Sequence, residues 1–274
     1  DLALTKIQEL IINHFGEPEV IAKKIPRTLT RLDENHKLMG IPASPGIAFG
    51  KIVHFQLTIP EFEDYPVENA EVEWQYFQLI LATARKEILG IVESLSDQSA
   101  IDILQTQLLY IEDPSWLEQV HQLIVTEKHC AAVAWKKAIE AVINTYQKLE
   151  DPYLQGRAID IKDVGGRVLK VLAGDSSSSV NLSEPGILVA PDLTPSLALQ
   201  LKPNLVLGIC TSAGSVTAHS TLIVNTLGIP MVVGVGIQLL SLATNSQIGL
   251  DGKTGEVWIE PSQQQLQELQ VKQS

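Results

Sequence analysis

A chain of 274 residues, 45% of them hydrophobic, holds enough apolar material for one large or two moderate domains. Its formal net charge of −12 argues against nucleic-acid binding, which needs a basic footprint, and suits a basic protein partner. The two cysteines, Cys130 and Cys210, are far apart, no segment is apolar for the length of a bilayer, and the N-terminus lacks a basic region followed by an apolar stretch. Together these predict a soluble cytoplasmic protein with reduced thiols and no bound metal.

In chain order, Leu2, Leu4, Ile7, Leu10, Ile11 and Phe15 form an apolar stripe ending at Gly16, which predicts one amphipathic helix. Residues 17 to 37 read as a linker, and a start at Asp1 suggests a piece of something longer. Gly40, Pro42, Pro45 and Gly46 are turn chemistry, and Ile47 to Phe55 then reads as a strand. Residues 66 to 149 have few glycines and helical periodicity. Val72, Tyr76, Leu79, Ile80 and Ile91 mark a long helix, and Ile101 to Ile111 a second, stopped at Glu112-Asp113-Pro114. Ser115, with Glu118 three residues on, predicts a capping box for a third helix through Val125, and Ala131 to Leu149 supplies a fourth. Short connections make an antiparallel four-helix bundle, and strands on both sides make it an insertion in an α/β unit. His129 beside Cys130 reads as structural.

After the bundle, Arg157 and Asp160 stand at i, i+3, the spacing of a local ion pair. Ile187 to Ala190 is a strand, and Thr194 followed by Pro195 predicts the N-cap of a helix through Leu201. Leu205 to Gly236, LVLGICTSAGSVTAHSTLIVNTLGIPMVVGVG, reads as strand, small polar loop, helix and strand. This puts His219 in the first turn of a helix, beside free backbone N–H groups and the positive end of the helix dipole. An unprotonated imidazole there is a candidate phosphoryl nucleophile. Gly249 to Asp251 and Glu256 to Ile259 form a hairpin, and the Gln-rich tail from Pro261 is helical.

The run Gly214-Ser215-Val216-Thr217-Ala218-His219-Ser220, continued to Ile229-Pro230-Met231-Val232-Val233-Gly234, resembles the phosphohistidine segment of enzyme I of the phosphoenolpyruvate-dependent sugar phosphotransferase system. That family reads approximately G-G-R-T-S-H there. Here Val216 and Asn225 replace two family arginines, Ser215 a glycine and Ala218 a serine, which removes bidentate phosphate donors. Gly40-Ile41-Pro42-Ala43-Ser44-Pro45-Gly46-Ile47-Ala48 is similar to the family's opening signature. Leu108-Leu109-Tyr110-Ile111-Glu112-Asp113 resembles its docking stretch, with Gln107 and Ala100 where the family has histidine and lysine. Tyr153 to Gly165 resembles the helix returning the chain to its α/β half, and Asp192-Leu193-Thr194-Pro195-Ser196 its A-x-D-L-T-P-S motif.

The resemblance implies an α/β swivelling phosphohistidine domain, residues 38–65 and 153–274, with an inserted helical subdomain at 66–152 that binds the phosphocarrier HPr. It implies His219 as the phosphohistidine and Thr194 as its orienting partner, with Gly214, Ser215, Thr217 and Ser220 around the phosphoryl group. Leu108, Leu109, Glu112 and Arg157 would face the carrier. The KIQELIINHFGE string is similar to the closing helix of HPr, so residues 1–37 would end an HPr-like module. No cofactor is expected in the chain; Mg²⁺ belongs to the family's separate phosphoenolpyruvate-binding domain. Full enzyme I and the truncated enzyme I module of a multiphosphoryl transfer subunit of dihydroxyacetone kinase both remain open as parents. A non-catalytic docking module with a vestigial histidine is the rival reading, and the central domain of a phosphoenolpyruvate synthase or pyruvate phosphate dikinase, which lack the inserted bundle, ranks last.

Overall fold

A computed structural model describes residues 37–55, 60–174 and 184–273; the predicted N-terminal helix and linker lie outside the described residues. Eight strands form one sheet: β1 (Lys37–Met39), β2 (Ile41–Ser44), β3 (Ile47–His54), β4 (Gly186–Ala190), β5 (Val206–Thr211), β6 (Met231–Val233), β7 (Gln247–Asp251) and β8 (Glu256–Ile259). Their order is β1-β8-β7-β3-β4-β5-β6-β2. The pairs β3–β4, β4–β5 and β5–β6 are parallel and the rest antiparallel.

β1 and β2 are successive halves of one extended segment, broken at Gly40, yet they pair with opposite ends of the sheet. The sheet therefore curls back on itself and leaves little open edge. Gly40 is the seam. Its N–H donates to Gly255 O at 2.9 Å, and an added Cβ would stand 2.5 Å from Val232 Cγ1. Gly252 sits as tightly on the other side, its N–H donating to Gly46 O and a built Cβ falling 1.8 Å from Ser44 O. The Gly40 to Gly46 motif is thus a structural closure, in keeping with its lack of titratable groups.

The helical part comprises α1 (Ala70–Ser94), α2 (Gln98–Ile111), α3 (Pro114–Val125), α4 (Ala131–Gln147) and α5 (Pro152–Leu172). Four of these were predicted. The fifth, grouped by sequence with the α/β part, buries Ile161, Val164, Val168 and Leu169 in the same core as Phe77, Leu104, Ile124 and Trp135. Its Gly165 permits the close approach: a Cβ there would meet Ile139 Cγ2 at 2.6 Å, and Gly165 O accepts the Trp135 indole N–H at 3.0 Å. Gly165 and Gly166 thus lie within a helix packed against its neighbour.

The cap of α3 corrects the sequence reading. Asp113, not Ser115, is the N-cap, its Oδ1 accepting the N–H groups of Ser115 at 2.8 Å and Trp116 at 3.3 Å. Pro114 then occupies the first turn, where a missing N–H costs nothing. The Ser115 hydroxyl also donates to Asp113, and these bonds hold that carboxyl below its ordinary range. On the exposed side, His129 is paired with Asp64 and Lys137 rather than with Cys130, consistent with a structural role.

Three further helices serve the sheet: α6 (Pro195–Ala198), α7 (His219–Thr226) and α8 (Gln263–Gln273), with a 3₁₀ turn at Ile237–Ser241. Leu269 of α8 is buried, and Gly249 makes room for it, since an added Cβ would stand 2.8 Å from Leu269 Cδ1. The α6–α7 side packs Leu193, Leu197, Ile223 and Val224 on Leu188, Ile209 and Met231, joined by Ile103 of α2. Through Ile103 the helical part meets the sheet-bearing part at the helix that carries His219.

Candidate functional site

Strand β5 ends at Thr211, and the loop to α7 is tied down rather than slack. Thr211 Oγ1 donates to Ala213 O at 2.6 Å, and Gly214 has φ +108°, a conformation open to glycine. A Cβ at Gly214 would also stand 3.0 Å from Asp192 Oδ1. The Ser215 and Thr217 hydroxyls bond each other at 2.9 Å, and the Thr221 hydroxyl donates to Ser215 O at 2.8 Å. Ser220 is buried in this conformation. The N-cap, Ala218, has no side-chain bond to offer the first turn.

The loop delivers the imidazole of His219 against α5. Asp160 Oδ2 lies 3.2 Å from Nδ1, and Arg157 Nη1 lies 2.7 Å from Nε2 and 3.1 Å from Nδ1. Arg157 and Asp160 are themselves paired at 3.3 Å, one helical turn apart. Side-chain exposures are 13% for His219, 18% for Arg157 and 8% for Asp160, so the cluster is largely shielded. Donor and acceptor chemistry then assigns the tautomer. A carboxylate only accepts, so the proton facing Asp160 is on Nδ1, while Arg157 Nη1 stands over the ring within reach of both nitrogens. With Nδ1 turned to Asp160, Nε2 is the ring nitrogen left for a phosphoryl group.

Beneath this trio a second polar node joins helical and sheet-bearing parts. Asp163 Oδ2 accepts Gln107 Nε2–H and Ser196 N–H, both at 2.8 Å, and Arg167 donates to Ser196 Oγ at 2.6 Å. Thr194 is the N-cap of α6, its Oγ1 accepting the Leu197 N–H at 3.3 Å, and its hydroxyl also bonds Asp163. In this conformation, then, the described contacts on the ring come from Arg157 and Asp160, and Thr194 serves the neighbouring node. Ile103, Thr106, Gln107, Tyr110, Asp160 and His219 line a cleft, and two atoms of these residues, Gln107 Oε1 and Asp160 Oδ1, are buried without a hydrogen-bond partner.

Burial pushes the Asp163 carboxyl above the ordinary carboxylate range, against the lowering pull of the Ser196 N–H and the Arg167 charge. Because the folded chain then holds this proton more tightly than the unfolded one, the group's contribution to stability is complete below about pH 3.8. It is lost as pH rises through the folded value. Asp163→Asn removes that loss, so the variant's urea midpoint is expected to gain on the parent's as pH rises above about 4. Parallel midpoint profiles would show that the carboxyl is not so perturbed.

Of the predicted carrier-facing residues, Leu109 is 68% exposed and Leu108 half-buried, while Glu112 accepts Arg85 Nε–H at 2.7 Å. Arg157 is elsewhere, on the imidazole. Asp160 was visible in sequence only as its i, i+3 partner. Among the described residues, no group of three or more His, Cys, Asp and Glu side chains is placed to hold a metal ion.

Residues 39–157 match the family model of the N-terminal part of PEP-utilising enzymes, and residues 182–255 that of their mobile domain. A solution NMR structure of enzyme I (nEIt) superposes with a TM-score of 0.62 at 32% identity, over 86% of this chain and 98% of that one. The chain belongs to the enzyme I family. An N-terminal domain of nitrogen enzyme 1, at 23% identity and a TM-score of 0.52, shares the fold. Among longer relatives, the phosphoenolpyruvate-protein phosphotransferase of Listeria monocytogenes is 34% identical over 84% of this chain and 41% of its own. The multiphosphoryl transfer protein of Xanthomonas campestris is 32% identical over 84% of this chain and 28% of its own. This enzyme I family chain therefore spans less than half the length of these two relatives. The fold class predicted from sequence, an α/β domain with an inserted helical bundle, is the one found.

Proposed function

We propose that this chain is a phosphotransferase module that carries a phosphoryl group on His219 between a phosphoenolpyruvate-derived donor and HPr or an HPr-like carrier. The observation that supports it most is the Asp160–His219–Arg157 arrangement, in which Asp160 takes Nδ1 and leaves Nε2 as the nitrogen for attack, with a guanidinium beside it. In the transfer, the Nε2 lone pair attacks phosphorus in line, and the bond from phosphorus to the carrier's histidine nitrogen breaks, returning its electron pair to the carrier. Nδ1–H stays with Asp160 throughout. Backbone N–H groups from Gly214 to Ser220 would meet the phosphoryl oxygens, since such transfer is chiefly positioning and electrostatics. Thr194 remains our orienting group for the ring, acting through the Asp163 node that it shares with α5.

The carrier would dock on the helical part. Val72, Tyr76 and Leu79 on α1 and Leu109 on α2 are exposed apolar side chains on packed neighbours, and the chain's negative charge suits a basic partner. We place the reaction in the cytoplasm. Both described cysteines are free thiols, and among the described residues no helix is long and apolar enough to cross a membrane. Phosphoenolpyruvate and its Mg²⁺ would be handled by a separate domain.

The test is transfer from phospho-HPr to the 274-residue chain. An acid-labile, base-stable phosphate on the chain is expected; its absence would favour a docking module without chemistry.

A further inference from the structure

We propose that Arg157 is a catalytic residue of this site: it binds the phosphoryl group while that group is on His219. The inference rests on the phosphoryl-carrier reading and adds a role that sequence had placed at the partner surface. The guanidinium stands against the reacting nitrogen without covering its in-plane lone pair, since Nη1 is 2.7 Å from Nε2 and 3.1 Å from Nδ1. Bonding of phosphorus at Nε2 brings three anionic oxygens within reach of this donor. A guanidinium offers five N–H groups in a planar fork matched to such oxygens, and charge-assisted bonds of this kind are roughly twice as strong as neutral ones.

Arg157 is built for a short retreat rather than a long swing. It stands on α5 four residues before Ile161, which is fully buried in the helical core, so its backbone is anchored. Its link to Asp160 at 3.3 Å keeps it beside the ring, and that carboxylate needs the positive charge more once a dianion arrives. The other candidates are engaged. Arg167 on the same helix donates to Ser196, and the Ser215 and Thr217 hydroxyls bond each other. No arginine lies in the loop from Ser212 to Ser220 itself.

The step balances without any further reagent: the N–P bond forms at Nε2, the carrier leaves with its electron pair, and Arg157 keeps all its protons. Arg157 therefore stabilises the phosphorylated state relative to the free ring, which shifts an equilibrium and not only a rate.

The experiment measures the equilibrium between phospho-HPr and phospho-His219 in the parent chain, Arg157→Ala and Arg157→Lys, together with the ³¹P chemical shift of the phosphohistidine. Arg157→Ala is expected to move the equilibrium toward phospho-HPr by about tenfold to a hundredfold and to shift the ³¹P resonance. Arg157→Lys, which keeps the charge and loses the fork, should fall between, and this graded series reads binding where unfolding would not. An Arg157→Ala chain with the parent's equilibrium and ³¹P shift would overturn the proposal. So would a defect confined to KM for phospho-HPr, which would make Arg157 a docking residue. If the parent itself takes up no phosphate, the functional reading fails first, a result separable from any failure of Arg157 alone.

Discussion

His219→Ala is expected to take up no phosphoryl group from phospho-HPr while folding as the parent chain does. The imidazole is not a core group. Its removal leaves Arg157 and Asp160 paired at 3.3 Å, and alanine is a strong helix former at the start of α7. A loss of stability no larger than about 1 kcal/mol follows, a shift of a few degrees in thermal midpoint for a chain of this size. Phosphate uptake should fall to background, because the Thr217 and Ser220 hydroxyls of the same loop lack an adjacent base to activate them. Label that persists in this variant with a folded spectrum would move the nucleophile to another residue.

Trp135→Ala carries the largest expected cost in stability. The indole is wholly buried at the centre of the helical core, 5.6 Å from the ring of Phe77 and 6.4 Å from that of Trp116. Truncation of such a residue costs about 3–5 kcal/mol. The variant also removes the indole N–H bond that ties the Gly165 carbonyl of α5 to α4 at 3.0 Å. Set against the 5–15 kcal/mol by which domains are stable, this approaches unfolding. The effect reaches the site because Gly165 is on α5, the helix that holds Arg157 and Asp160 against His219. Urea unfolding should show the midpoint collapse, with Trp135→Phe recovering most of the packing but not the carbonyl's partner. A midpoint within the error of the parent's would mean that α5 is not seated through this contact.

Much of the α/β frame was legible because its strands are short apolar runs between turn residues. Ile187 to Ala190, Gly249 to Asp251 and Glu256 to Ile259 lie where the pattern puts them. The helical position of His219 followed from the same reading, as did Thr194 as the cap of α6. Closure of the sheet did not, since nothing in the spacing around Gly40 says that the two halves of one extended segment pair with strands at opposite ends. The site was half legible. A nucleophile at a helix start has a local signature, whereas Asp160 looks like any acidic residue one turn from an arginine until α5 is packed against α7. Likewise Asp113 and Ser115 both suit an N-cap, and only the geometry of Pro114 decides between them. Leu109 and Glu112 illustrate the remaining gap: sequence places them on a docking stretch, but exposure of the one and the Arg85 pairing of the other are tertiary facts.

The most direct measurement is a ³¹P and ¹⁵N NMR spectrum of the chain, labelled at histidine, after transfer from phospho-HPr. The account predicts a single phosphorus resonance coupled to Nε2 of His219, with Nδ1 still carrying its proton beside Asp160. Phosphorus on Nδ1, on another side chain, or nowhere would contradict it.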